Sequence, residues 1–89
     1  MDKVLIELLE SNACAKCAGL KERVNEVIKQ FPEDKIELKY LDLFDDQKRI
    51  VELGMYTSPA LAVNGELYFL GKIPSEEELK NLISEKLGE

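Results

Sequence analysis

The sequence predicts an α/β domain in which three helices flank a mixed four-stranded sheet. Three observations predict this fold: an apolar run near the start of the chain, an amphipathic segment after it, and an Asn64-Gly65 pair between two later apolar runs. Short apolar runs favour buried strands, a helical repeat of apolar residues favours a helix facing a core, and Asn-Gly is typical of a type I′ hairpin turn. The predicted order of elements is β-α-β-α-β-β-α.

The first half of the chain predicts a strand, a helix and a second strand. Val4–Leu9 is apolar except for Glu7, which favours a strand buried on both faces. From Cys14 the pattern becomes helical, and Pro32 ends it. The apolar face of this helix carries Cys17, Leu20, Val24, Val27, Ile28 and Phe31. Ile36–Leu41 alternates between apolar and polar residues, and a right-handed crossover through the helix makes the two strands parallel.

The second half of the chain predicts a helix, a hairpin and a last helix. The expected elements are a helix from an Asp45 cap to Leu53, strands at Ala60–Val63 and Glu66–Leu70, and a helix with Leu79, Leu82, Ile83 and Leu87 facing inward. Gly54 stands where a left-handed helix end is expected. Ser75 and Glu78 have the spacing of a capping box at the start of the last helix.

Length and composition limit the classes of function. With 89 residues, of which 45% are hydrophobic, we expect one compact domain over residues 1–89. The net charge of −6, with no dense cluster of Lys and Arg, argues against nucleic acid or an anionic membrane as a partner. No apolar run approaches the ~20 residues that span a bilayer, and no secretory leader is recognised. We therefore expect a cytoplasmic monomer.

The pair of cysteines indicates redox chemistry. Cys14 and Cys17 lie where the first strand gives way to the first helix, separated by Ala15 and Lys16. A thiolate is the nucleophile in thiol–disulfide exchange, and the ordinary cysteine pKa of about 8.5 leaves little thiolate at neutral pH. A helix N-terminus favours the thiolate at Cys14, and Lys16 adds a nearby cation. We predict that Cys14 attacks a disulfide and that Cys17, on the apolar face, resolves the mixed disulfide.

Two other interpretations of the cysteine pair stay open. A thiolate site for zinc or copper is one, although zinc takes four ligands, usually Cys or His, and the chain has two cysteines and no histidine. A non-catalytic binding module is the other, because a fold does not by itself determine a function. A purely structural disulfide is disfavoured in a protein without a secretory context.

A second candidate site is the segment Thr57-Ser58-Pro59, directly before the third predicted strand. Proline is tolerated at the start of a strand because its missing N–H can be spared there. Most X–Pro bonds are trans, but the context of this segment favours a cis bond at Pro59. Tyr56 stands in the same loop, and loops carry many functional contacts, so Tyr56 is a candidate for contact with a partner.

Together these motifs resemble the thioredoxin/glutaredoxin superfamily. The resemblance is closest to the small, glutaredoxin-sized redox-active disulfide proteins of prokaryotes, including archaea. It rests on the CxxC pair after a first strand, the Thr57-Ser58-Pro59 segment before a third, the Asn64-Gly65 turn and Gly71. The resemblance implies a nucleophilic Cys14, a resolving Cys17, a cis Pro59 packed against the disulfide, and a Ser58 backbone that pairs with an extended substrate segment.

The sequence departs from typical members at several positions. Typical thioredoxins carry Trp before the first cysteine and Gly-Pro within the pair, where this chain has Ala13 and Ala15-Lys16. Leu8 replaces their buried acid on the first strand. Glutaredoxins usually follow the last strand with Gly-Gly and an acidic pair that hold glutathione, whereas this chain continues Gly71-Lys72-Ile73-Pro74.

The resulting prediction is a protein thiol–disulfide oxidoreductase, acting as a disulfide reductase in a reducing cytoplasm. It requires no organic cofactor and no metal, because the dithiol of Cys14 and Cys17 itself carries two electrons. The expected partners are protein disulfides and a reductase that returns the disulfide to the dithiol.

Overall fold

The computed structural model describes residues 3–9 and 15–88, with the backbone alone for residues 15–17. The strands are β1 (Val4–Leu9), β2 (Ile36–Leu41), β3 (Ala60–Val63) and β4 (Glu66–Leu70). The helices are α1 (Ala15–Ile28), α2 (Gln47–Leu53) and α3 (Glu76–Leu87), with a short 3-10 helix at Glu33–Lys35. The order of elements, and the class of fold that it defines, confirm the prediction.

The four strands form one mixed sheet in the order β2-β1-β3-β4. β1 and β2 are parallel, with Val4 opposite Ile36 and Leu9 opposite Leu41. β3 runs antiparallel to β1, so that Leu9, the last residue of β1, lies opposite Ala60, the first residue of β3. β1 and β3 therefore each have a partner strand on both sides, whereas β2 and β4 are the edge strands.

One face of the sheet is covered by α1 and α3, and we call it the α1–α3 face. Its buried core consists of Val4, Ile6, Leu8, Leu20, Val24, Val27, Leu61, Val63, Leu79 and Ile83. These residues alternate along the strands and recur at helical spacing along the helices, which is why both periodicities are visible in the sequence. All of them are at most 1% exposed, so this face holds the larger apolar core.

The opposite face is covered by α2, and we call it the α2 face. Its apolar cluster is smaller and consists of Leu9, Leu41, Ile50, Leu53, Met55, Ala60 and Ala62. Two of these are alanines, and Ile50 and Leu53 of the helix are each 7% exposed. The α2 helix thus covers its side of the sheet less completely than α1 and α3 cover theirs.

Most predicted turns and caps are confirmed. Asn64 and Gly65 both have positive φ, at 52° and 81°, as a type I′ turn requires. Gly54 ends α2 in the left-handed conformation with φ 77°. At the start of α3 the Glu78 N–H donates to Ser75 Oγ at 3.0 Å and the Ser75 N–H donates to Glu78 Oε1 at 3.0 Å, a complete capping box.

Two helix ends differ from the prediction. α1 ends at Ile28 rather than at Phe31, because the chain continues in turns in which the Phe31 N–H donates to the Ile28 carbonyl at 3.1 Å. Asp45 was the wrong cap for α2, whose N-cap is Asp46. The Asp46 carboxylate does not cap the helix either, since its Oδ2 accepts the Asp42 N–H at 2.8 Å.

Candidate active site

The predicted cysteine pair lies where β1 leads into α1. Cys14 lies outside the described residues. Lys16 and Cys17 belong to the first turn of α1, whose backbone is helical from Ala15. This first turn contains no acidic residue, so no carboxylate within it neutralises the positive end of the helix dipole.

Pro59 lies at the same end of the sheet as the junction between β1 and α1. The Ser58–Pro59 peptide bond is cis, and Pro59 directly precedes Ala60, which pairs with Leu9 at the end of β1. Pro59 is buried and Ser58 is half-buried. The pairing of Leu9 with Ala60 therefore places the segment around Ser58 at the end of the sheet where β1 ends, before the cysteine pair.

The loop after β4 contacts Pro59 at the same end of the sheet. The Gly71 N–H donates to the Pro59 carbonyl oxygen at 2.7 Å. Gly71 has φ 72°, and a Cβ at this position would lie 3.5 Å from Thr57 Cγ2. A glycine is therefore required here by its left-handed backbone rather than by lack of space.

The same loop is also held against α1. A Cβ on Gly19 would lie 2.9 Å from Ile73 Cδ1, so the Ile73 side chain packs directly on the helix and its end would have to shift for any larger residue. Arg23 Nη1 donates to the Pro74 carbonyl oxygen at 3.0 Å. Through these contacts the loop of residues 71–74 connects the helix that carries Cys17 with the segment that carries Pro59.

Tyr56 lines a shallow apolar pocket between the end of α2 and the loop that follows it. The pocket has a volume of about 190 Å³ and is lined by Ile50, Val51, Gly54, Met55 and Tyr56. Tyr56 is 85% exposed and Val51 is 78% exposed, so both side chains are accessible to a partner. The structure thus places Tyr56, Ser58 and Pro59 on one continuous segment.

The sequence analysis missed an ion pair on the α2 face. Glu7 of β1 is 2% exposed. Its two carboxylate oxygens accept from Arg49 of α2, with Nε–Oε2 and Nη2–Oε1 distances of 2.7 Å each. Arg49 Nη1 also donates to Glu52 Oε1 at 3.4 Å. The hydrogen bonds to Glu7 are the main cause that raises the pKa of Arg49, so the guanidinium stays charged at all relevant pH values.

A signal for this pair was present in the sequence. A single carboxylate inside an otherwise apolar strand must find a partner when the strand is buried, because an unpaired buried charge is costly. The pattern therefore called for a cation facing Glu7. The sequence did not show which of the 12 Lys and Arg residues would supply it.

No group of three or more His, Cys, Asp or Glu within residues 3–9 and 15–88 is placed to hold a metal ion. The cysteine side chains lie outside that set. In the same ranges no helix has the length and apolarity needed to cross a membrane.

Comparisons with known proteins identify the family. Residues 4–84 match the thioredoxin domain family. The chain is 33% identical over 87 residues to a thioredoxin of Methanocaldococcus jannaschii, covering 98% of this chain and 100% of that one. It is 37% identical over 84 residues to a probable thioredoxin of Methanothermobacter thermautotrophicus, covering 94% and 96% of the two chains.

A solved structure supports the same fold. A mutant thioredoxin from Halobacterium salinarum superimposes with a TM-score of 0.78 over 97% of this chain and 76% of that one, at 21% identity. The fold and the family match define a thiol–disulfide oxidoreductase. The chain belongs to the thioredoxin family.

Proposed function

We propose that this protein is a disulfide reductase in which Cys14 is the nucleophile and Cys17 the resolving thiol. The observation that carries the proposal is the pairing of Leu9 with Ala60. It places the cis Pro59 segment at the end of the sheet where β1 ends and the chain continues to the CxxC pair. The helical backbone of the first turn of α1 supports it, because free N–H groups at a helix start favour a thiolate.

The proposed reaction moves two electrons from the protein to its substrate. The Cys14 thiolate attacks one sulfur of a substrate disulfide, forms a mixed disulfide and expels the other substrate sulfur as a thiolate. The Cys17 thiolate then attacks the Cys14 sulfur and releases the second substrate thiolate. The substrate gains two electrons and two protons, and the protein is left with a Cys14–Cys17 disulfide. A reductase returns this disulfide to the dithiol, which completes the cycle.

The substrates are proposed to be protein disulfides on extended segments. The Ser58 backbone would pair with such a segment, as the half-buried Ser58 directly precedes the cis Pro59 at the start of β3. The pocket beside Tyr56 would accept an apolar side chain of the same segment, because its lining is apolar and two of its side chains, Val51 and Tyr56, are exposed. Lys16 would contribute a positive charge beside the attacking sulfur.

A redox titration with mass tagging tests the chemistry. The purified protein is equilibrated in dithiothreitol redox buffers, free thiols are alkylated with a mass tag, and the mass is read at each potential. We expect Cys14 and Cys17 to convert together in one two-electron transition near thioredoxin's potential of about −270 mV. A midpoint near −120 mV, as in strong oxidants, would contradict the reductase direction, although redox chemistry itself would stand.

Single substitutions separate the two cysteines. Cys17→Ser is expected to accumulate a mixed disulfide between Cys14 and an oxidised protein substrate, because no second thiol releases it. Cys14→Ser is expected to form no mixed disulfide and to lose reduction of insulin disulfides. Unchanged activity in Cys14→Ser would rule out the proposed reaction. Stoichiometric zinc or copper that must be stripped before the thiols react would favour the metal-binding alternative.

A further inference from the structure

The α2 helix is held to the sheet by few interactions. It has seven residues, and helices this short are marginal on their own, so tertiary contacts determine where α2 lies. Only Ile50 and Leu53 of the helix are buried. Its N-cap residue, Asp46, makes no side-chain capping bond. The bidentate contact between Arg49 and Glu7 is therefore a principal tie between α2 and the sheet.

This tie is asymmetric, because its two ends differ in freedom. Glu7 belongs to β1, which is paired on both sides, with Lys39 opposite in β2 and Ala62 opposite in β3. Among the side chains that the structure describes, Glu7 is the one charged side chain that is buried. If Arg49 is removed, the carboxylate loses both hydrogen bonds while its strand stays paired on both sides, so we expect α2 to be the element that adjusts.

A displacement of α2 would be transmitted to the substrate segment. The chain continues from α2 into residues 54–58 without a break: the Gly54 N–H donates to the Val51 carbonyl at 3.1 Å and the Met55 N–H to the Ile50 carbonyl at 3.0 Å. At the far end Pro59 is held separately, since its carbonyl accepts the Gly71 N–H at 2.7 Å. Residues 56–58 thus connect α2 with Pro59, and each end of this connection is held by a backbone hydrogen bond.

We propose that Arg49 and Glu7 are positioning residues that hold the segment of residues 54–58, and with it Tyr56 and Ser58, in the geometry that accepts a protein substrate. The inference rests on the proposed function of that segment. The pair acts from the α2 face, where Glu7 bonds to Arg49, while the neighbouring Leu8 packs in the α1–α3 face. It is therefore expected to affect substrate binding and to leave the redox chemistry of the cysteine pair unchanged.

Amide hydrogen exchange tests the positioning without any assay of activity. In Arg49→Met we expect the protection of the Met55 amide to fall about tenfold relative to that of the Leu79 amide, which donates to Ser75 at the start of α3. A uniform loss of protection at Met55 and Leu79 would show that the pair supports only global stability. Unchanged protection at Met55 would show that it does not hold the segment. Either result would overturn the proposal.

Steady-state kinetics test the functional consequence, with dithiothreitol as the electron donor. For Arg49→Met we expect the KM for insulin to rise about tenfold with kcat little changed, since a misplaced binding segment weakens alignment of the substrate. Reduction of cystamine, a small disulfide that does not need the segment, and the midpoint potential are expected to stay at wild-type values. Equal losses for insulin and cystamine, or a shifted potential, would contradict the proposal.

Two further variants make the experiment specific. Glu52→Gln is the matched control, because Glu52 also contacts Arg49 but only at 3.4 Å and from an exposed position; it is expected to behave as wild type. Arg49→Lys keeps the charge and loses the two-pronged geometry, so we expect an intermediate KM. It also serves if Arg49→Met does not fold. Wild-type protein inactive on both disulfides would refute the proposed function, while hydrogen exchange would still decide the positioning.

Discussion

The two faces of the sheet are built differently. The α1–α3 face is an apolar core in which every buried side chain that the structure describes is a hydrocarbon, packed by two helices of 14 and 12 residues. The α2 face has a smaller cluster, one seven-residue helix and a buried ion pair between Glu7 and Arg49. The first arrangement supplies stability through burial. The second places a short helix, α2, directly before the segment that leads to Pro59.

The largest expected effect is on the α1–α3 face. Ile83→Ala removes a fully buried side chain and should lower the free energy of unfolding by about 4 kcal/mol, because the core cannot collapse around the cavity. Ile50→Ala, the matched change on the α2 face, should cost about 2 kcal/mol, since Ile50 is already 7% exposed and the short helix can settle. Urea denaturation measures both. Equal losses would contradict the difference between the faces.

The second prediction concerns the ion pair alone. Arg49→Met strands a buried carboxylate, whereas Glu7→Met leaves a guanidinium that is 37% exposed and can reach water. Arg49→Met should therefore lower the melting temperature more than Glu7→Met does. The double variant should be more stable than Arg49→Met, because no buried charge is left unpaired. The opposite order of the two single variants would show that Glu7 is solvated without Arg49.

A smaller effect is expected at the start of α3. Ser75→Ala removes the hydroxyl that accepts the Glu78 N–H and should cost about 1 kcal/mol. The corresponding Asp46→Ala at the start of α2 removes no helix cap, so it should cost less than Ser75→Ala despite the equivalent position. Thermal denaturation of the two variants provides the comparison, and a larger loss at Asp46 would contradict it.

The smallest effects concern acid. The backbone hydrogen bond from Ser75 lowers the pKa of Glu78, and those from Asp45 and Phe44 lower the pKa of Asp42. A carboxyl with a lowered folded-state pKa stabilises the fold above its unfolded pKa of about 4, and this contribution is lost as pH falls through the folded value. Glu78→Gln and Asp42→Asn should each flatten the loss of stability below about pH 4. A steeper loss of stability below about pH 4 in either variant would contradict the prediction.

Much of the fold was predictable because its signals are local. Glycine and asparagine mark left-handed turns, Ser75 and Glu78 satisfy each other within one helical turn, and each strand carries its own apolar pattern. The end of α1 was less predictable, because Phe31 packs against the core from a turn and so keeps the helical spacing of apolar residues beyond the helix itself.

The candidate site divides in the same way. The CxxC spacing and the Ser58-Pro59 segment are sequence motifs, and they led to the family that the comparisons confirm. The roles of Cys14, Cys17, Lys16, Tyr56 and Ser58 remain predictions to be tested by the experiments above. Arg49 could not be assigned from the sequence, since it lies 42 residues from Glu7 and resembles any other exposed helical cation.

Periodicity, turns and caps depend on neighbours in the chain, so the order of the elements, the two faces of each strand and the motifs of a redox site were predictable from the residues alone. The fold was needed to show that the last residue of β1 lies opposite the first residue of β3, that the loop of residues 71–74 joins α1 to Pro59, and that Arg49 reaches Glu7. These contacts depend on the packing of distant segments. The physical reason is that a buried charge specifies the need for a partner, and the fold specifies which partner is within reach.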